Sequence, residues 1–208
     1  MNHKRLLLPL AGLALGLLLL VACGTSQTAI TPMPGWEKFE GEGAQLWLPQ
    51  SYEGGDPGKD AAAIAESLRG LSPDFEQMAQ VIEQNPSMYV IWAFDSEAGG
   101  TGFLTNAAVT QETVSASTID AYLDDVLNHL PLHLYFKVLE RDMVTLGGSK
   151  AGRLVLEFAN YGVAGKEVVY ALKDGSTMWV LTFATGAAEF EERLPVFEQS
   201  ALTFTTQP

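Results

Sequence analysis

Between Trp36 and Phe204 the spacing of apolar positions changes several times, and each change marks an element. Ala44 to Leu48 is a short, mostly apolar run closed by Pro49, which predicts a short strand. Glu53-Gly54-Gly55-Asp56-Pro57-Gly58 is dense in breakers and reads as a loop. Asp60 opens a helix whose Ile64, Leu68 and Leu71 share one face. Ser72-Pro73 reads as the N-cap and first position of a second helix, with a stripe of Phe75, Met78, Ala79 and Ile82 and an end near Asn85-Pro86. Met88 to Asp95 is apolar at both parities, the pattern of a strand covered on both sides. Gly99-Gly100 turns the chain into a strand from Phe103 to Val109. Ser117 is the expected N-cap of a third helix, with Asp120 at the capping-box position. Its buried face is Ile119, Tyr122, Leu123, Val126 and Leu130, and Pro131 stops it.

The C-terminal half reads as a meander. Leu134 to Leu146, Ala151 to Phe158, Glu167 to Leu172 and Thr177 to Ala184 are strands, joined at Gly147-Gly148, at a loop holding Gly162 and Gly165, and at Asp174-Gly175. A last helix carries Phe190, Leu194 and Phe197 on one face, with a kink expected at Pro195, and Leu202 to Phe204 is expected to close the sheet. Strands joined by short turns pair antiparallel, and the amphipathic helices between them can cover both faces. The pattern predicts one α+β domain over residues 36–208, an antiparallel sheet flanked by helices on both faces.

The first 35 residues have a different pattern. A short basic start, Lys4-Arg5, precedes 17 uncharged residues from Leu6 to Ala22. A helix crossing a bilayer needs about 20 apolar residues, so this run fits the core of an export signal better than a span. It ends in Leu20-Val21-Ala22-Cys23, and Cys23 is the single cysteine of the chain. These four residues resemble the lipobox of bacterial lipoproteins. The resemblance implies cleavage between Ala22 and Cys23, thioether diacylglycerol on Cys23 and a further acyl chain on its new amino group. Two or more acyl chains hold a protein firmly to a membrane where one does not. Residues 1–22 are thus expected to be removed, and residues 23–35 form the lipidated cysteine and a Thr/Ser/Pro-rich tether.

Charge narrows the partners. The chain carries 12 basic and 25 acidic residues. Without Lys4 and Arg5 the count is 10 against 25, a net charge of −15. Such a surface repels phosphate backbones, so no nucleic-acid partner is expected. With Cys23 alone no intramolecular disulfide can form, and the domain must be held by its core.

Candidate chemistry is sparse. No Gly-x-Ser-x-Gly elbow exists, and Ser149 follows glycines in a hairpin. His129 and His133 are four apart near Asp124 and Asp125, but Pro131 between them breaks the helical geometry a shared metal would need. Glu140, Asp142 and Glu157 fall on strands, where alternation makes them a polar face. Phosphate-binding glycine loops are missing. No catalytic residue, metal or cofactor is therefore assigned. Trp92 and Trp179 sit in apolar strands and are read as core, whereas Trp36 and Trp47, near the tether, are read as surface contacts. The loops Glu53 to Asp60 and Asp95 to Gly102 are the expected binding edges, giving Trp36, Trp47, Asp56 and Asp95 as the candidate set.

Along most of Phe39 to Phe204 the pattern resembles the PsbP-type sandwich. The resemblance lies in the strand ending Leu48-Pro49, and in Leu104-Thr105-Asn106-Ala107-Ala108-Val109 before a helix with Tyr122-Leu123. It continues in the meander around Gly147-Gly148 and Asp174-Gly175, and in Phe197 followed by Leu202-Thr203-Phe204. It implies an α/β/α fold and a non-enzymatic protein that docks onto a partner. The expectation is an extracytoplasmic lipoprotein held on a bacterial membrane through Cys23, acting on another extracytoplasmic protein. The alternative is a carrier or sensor of a small or lipidic ligand held between sheet and helices.

Overall fold

The computed structural model describes residues 34–97, 102–114, 118–129, 135–160 and 163–206. Two antiparallel sheets form among them. The smaller has the order β1-β2-β10, and the larger β3-β4-β5-β9-β8-β7-β6.

In the small sheet β1 (Trp36–Gly41) and β10 (Thr205–Thr206) flank β2 (Ala44–Pro49). The strand at Ala44 is as expected, but β1 and β10 are additions. The segment Leu202 to Phe204 expected to close the main sheet instead ends the last helix and leads into β10, which pairs with β2.

In the large sheet β3 (Tyr52–Gly55) corrects the loop expected over Glu53 to Gly58. Its backbone pairs with β4 (Ile91–Asp95), and a Cβ on Gly54 would lie 2.3 Å from the Trp92 carbonyl oxygen. The glycine that signals a loop is here required by close approach of two strands. Then come β5 (Asn106–Thr113), β6 (Tyr135–Leu146), β7 (Ser149–Asn160), β8 (Val163–Asp174) and β9 (Thr177–Gly186). Gly165, assigned to a loop in sequence, lies in β8 opposite Phe158. β4 is shorter than expected because Pro86–Met88 forms a 3-10 turn before it.

Helix α1 (Pro57–Leu71) starts three residues earlier than expected, since Asp56 caps it and Pro57 takes its first position. Ser72 caps a single 3-10 turn (Pro73–Phe75), and α2 runs over Glu76–Gln84. Arg69 ties the pair together through Glu76 and Glu83, each 2.9 Å away. For α3 (Ile119–Asn128) the cap is Thr118, whose hydroxyl accepts from the Ala121 amide. Ser117, the expected cap, lies outside the described residues, as do Gly99-Gly100, Leu130, Pro131, His133 and Gly162. α4 (Phe190–Leu202) continues as one helix through Pro195.

Strand alternation divides the core. Ile91, Ala93, Ala107, Val109, Val168, Tyr170, Leu181 and Phe183 face α4 and the small sheet, where Phe39, Leu46, Leu48 and Phe197 meet them in one cluster. On the opposite face α1 and α2 cover Trp92, Phe94 and Ala108. Separately, α3 covers Leu154, Leu156, Val169, Ala171 and Met178. Gly152 lets α3 sit close, because a Cβ there would meet Leu123 at 2.6 Å.

Candidate functional site

The four residues expected at a binding edge separate into two kinds. Asp56 and Asp95 are buried and serve the fold. One Asp56 oxygen accepts from the Gly58 amide at 2.9 Å and the other lies 2.8 Å from Lys59 Nζ. Asp95 Oδ2 lies 2.7 Å from Arg193 Nη1, and its other oxygen accepts from the Glu97 amide. Arg193 also reaches Glu189 at 3.0 Å, so this group pins α4 to the end of β4. Burial, with the Asp95 carboxylate nearby, pushes the Tyr52 hydroxyl well above the ordinary tyrosine value.

Trp36 and Trp47 lie together. The β1–β2 register sets Trp36 opposite Pro49 and Lys38 opposite Trp47, so both indoles project from the face of the small sheet that looks away from the core. Both are half-buried, whereas Phe39, Leu46 and Leu48 on the inner face are buried. Lys38 pairs with Glu40 at 2.6 Å, leaving this face locally neutral. The Trp47 amide donates to Thr203 Oγ1 at 2.9 Å and fixes β2 to the end of α4.

A second place was not singled out from sequence. Glu167 sits on the helix-covered face of β8, in a row running from Asn106 on β5 through Ala184 on β9 to Leu156 on β7. Burial among these neighbours raises its carboxyl to about 7. Beside it Phe158 contacts Phe103 and Phe136, with ring centroids 5.7 and 5.9 Å apart. Gly165 provides the floor beneath the rings, since a Cβ there would lie 2.5 Å from Phe158. The signal was present: alternation sets Glu167 on the same face as the buried Val169 and Ala171.

Elsewhere, Glu42, Asp56, Met88, Tyr89 and Gln111 border a concavity of about 150 Å³. That is below the several hundred Å³ typical of small-molecule sites. His129 ends α3 with its Nδ1 2.8 Å from the Asp125 carbonyl. Among the described residues no three His, Cys, Asp or Glu side chains converge as for a metal, and no helix is long and apolar enough to cross a membrane.

No protein-family model matches the sequence, and no curated protein matches it either. Solved structures do. Cyanobacterial PsbP (CyanoP) from Synechocystis sp. PCC 6803 superposes with a TM-score of 0.50 at 10% identity, over 90% of this chain and 99% of that one. A protein from Bacteroides thetaiotaomicron also gives 0.50 at 10% identity, over 84% of this chain and 49% of its own. LpqN, involved in cell envelope biogenesis of Mycobacterium tuberculosis, gives 0.49 at 12% identity, over 79% of this chain and 83% of its own. The fold is therefore a PsbP-like α+β sandwich. Likeness at such identity shows the fold and does not carry a function with it.

Proposed function

We propose that this chain is a membrane-tethered extracytoplasmic lipoprotein that acts as a non-enzymatic accessory or docking module. The observation that carries the tether is Leu20-Val21-Ala22-Cys23 at the end of an uncharged run, with no other cysteine in the chain. A docking role is supported by a sandwich filled by side chains on both faces of the main sheet. Of the expected binding edge, Trp36 and Trp47 remain for such a role, because Asp56 and Asp95 hold the fold. Fractionation of cells making the wild type and Cys23→Ser tests the anchor. Wild type is expected in membranes as a chain starting at Cys23 with acyl mass, and the variant is expected to be released. Retention of Cys23→Ser in membranes overturns the anchor.

The second reading, a carrier or sensor, is favoured by the half-buried Glu167 next to Phe103, Phe136 and Phe158. A carboxyl among aromatic rings suits a ligand with an amine and an apolar body. Native mass spectrometry of protein extracted gently from its own membranes separates the two readings. A small extra mass lost on denaturation supports the carrier, and the acylated chain alone or with a protein partner supports docking.

A further inference from the structure

Resting on the tethered reading above, we propose that the outer face of the small sheet lies on the lipid surface, with Trp36 and Trp47 seated at the headgroup level. Thirteen positions separate Cys23 from Trp36, which is at most roughly 45 Å of extended chain. The folded chain thus begins on the edge of the very face that carries both indoles. A tether of this length keeps the membrane at high effective concentration for whatever surface lies nearest its attachment.

Trp36 and Trp47 are diagonal neighbours across β1 and β2, with Pro49 beside them. An indole has an apolar body and one N–H donor, which suits it to the boundary between headgroups and acyl chains. Charge selects the same face. α1, α2 and the turn between them present Asp60, Glu66, Asp74, Glu76 and Glu83 against Lys59 and Arg69, and α3 presents Asp120, Asp124 and Asp125 against Arg141, whereas on α4 Glu191 and Glu198 are paired with Lys166 and Arg153. An anionic leaflet repels the α1–α2 and α3 surfaces, where acids outnumber bases. The outer face of the small sheet instead holds the internally balanced pair Lys38–Glu40, with Gln45 and Thr205 alongside. In this orientation α1, α2 and α3, on the far side of the main sheet, point away from the lipid.

Tryptophan emission tests the contact, because Trp92 and Trp179 are only 4% and 6% exposed and serve as internal controls. Protein extracted from its own membranes is weighed by mass spectrometry and reconstituted in phosphatidylcholine vesicles with plain or brominated chains. If the mass carries no acyl groups, the anchoring reading fails on its own. The single thiol of Cys23 is then coupled to a maleimide-bearing lipid in the same vesicles, so docking is still tested. Brominated lipid is expected to quench the wild type, and Trp36→Phe/Trp47→Phe is expected to lose that quenching while keeping its core emission and circular dichroism. Absence of quenching in vesicle-attached wild type overturns the proposal. Quenching that survives in the double variant overturns it equally, since it places another surface on the lipid.

Discussion

The two faces of the seven-stranded sheet are covered in different ways. Toward α4 and the small sheet there is one continuous apolar cluster, bounded by polar ties: Asp95 with Arg193, the buried Thr105 with Thr185 at 2.7 Å, and Arg153 with the exposed Glu140 and Glu198. Toward the other helices there are two clusters, one under α1 and α2 and one under α3, with Glu167 in a row at the edge of the α3 cluster and Phe136 and Phe158 in the next. A continuous core transmits a local defect to the whole domain, whereas a divided one can open piecewise. The first side therefore carries the cooperativity of the fold, and the second carries its capacity for local change.

The sharpest way to break this contrast is to cut a large side chain on each face. Phe183 is fully buried and stacks on Phe197 with centroids 5.4 Å apart. Phe183→Ala is expected to lose about 4 kcal/mol in urea unfolding, with every probe reporting the same transition. Leu68→Ala in α1 is expected to lose about 3 kcal/mol, and faster amide exchange should be confined to α1 and α2. Equal spreading of fast exchange through the main sheet in Leu68→Ala abolishes the distinction.

The ties on the continuous side come next. Asp95→Ala leaves Arg193 half-buried with only Glu189 and is expected to cost about 2 kcal/mol, less than a fully buried pair.

On the divided side pH is the probe. In the unfolded chain Glu167 ionises near the ordinary glutamate value, while in the fold it keeps its proton to about 7. Between those two values the folded state binds more protons than the unfolded one, so stability falls as pH rises through the window and is level above it. Glu167→Gln is expected to flatten that slope and to gain about 1 kcal/mol above the window, allowing for partial exposure, with little change below it. Urea titrations on either side of the window read this directly.

The smallest effects concern single caps and orphans. Asp56→Ala removes the N-cap of α1 and is expected to cost about 1 kcal/mol. Ser200 is buried on α4, and its hydroxyl finds no hydrogen-bond partner among the described residues. Ser200→Ala is therefore expected to be neutral or to stabilise by up to about 1 kcal/mol in thermal melts.

How much of this could be read in the chain follows from what each element depends on. The helices at Ile64 and Leu68, at Ala79 and Ile82, and at Leu123 announce themselves because their buried side chains recur at helical spacing. β7, β8 and β9 do so through apolar alternation and the Asp174-Gly175 turn. β3 does not, because a backbone ladder needs no particular side chain and Gly54 was selected for close approach. β10 escapes too, being two residues whose pairing depends on where β2 lies. Of the candidate site, Trp36 and Trp47 were legible as surface residues near the tether. Their shared face depends on the β1–β2 register, and β1 itself was not foreseen. Asp56 and Asp95 were visible as acids in loops, but the Gly58 amide and the Arg193 guanidinium that claim them are tertiary facts.

One arrangement has a mechanical meaning. β1 and β10 flank the same strand, so both ends of the described fold meet in the three-stranded sheet. Tension drawn through the residues before Trp36 is borne first by the ladder from Trp36–Pro49 to Gly41–Ala44. The small sheet is thus the first element loaded when the chain is pulled, and because its Phe39, Leu46 and Leu48 belong to the continuous core, its rupture is expected to carry into the seven-stranded sheet. The same register sets Thr206 beside Ala44, at the opposite end of β2 from Trp36 and Pro49, so a chain continuing past Thr206 leaves from the far end of the small sheet.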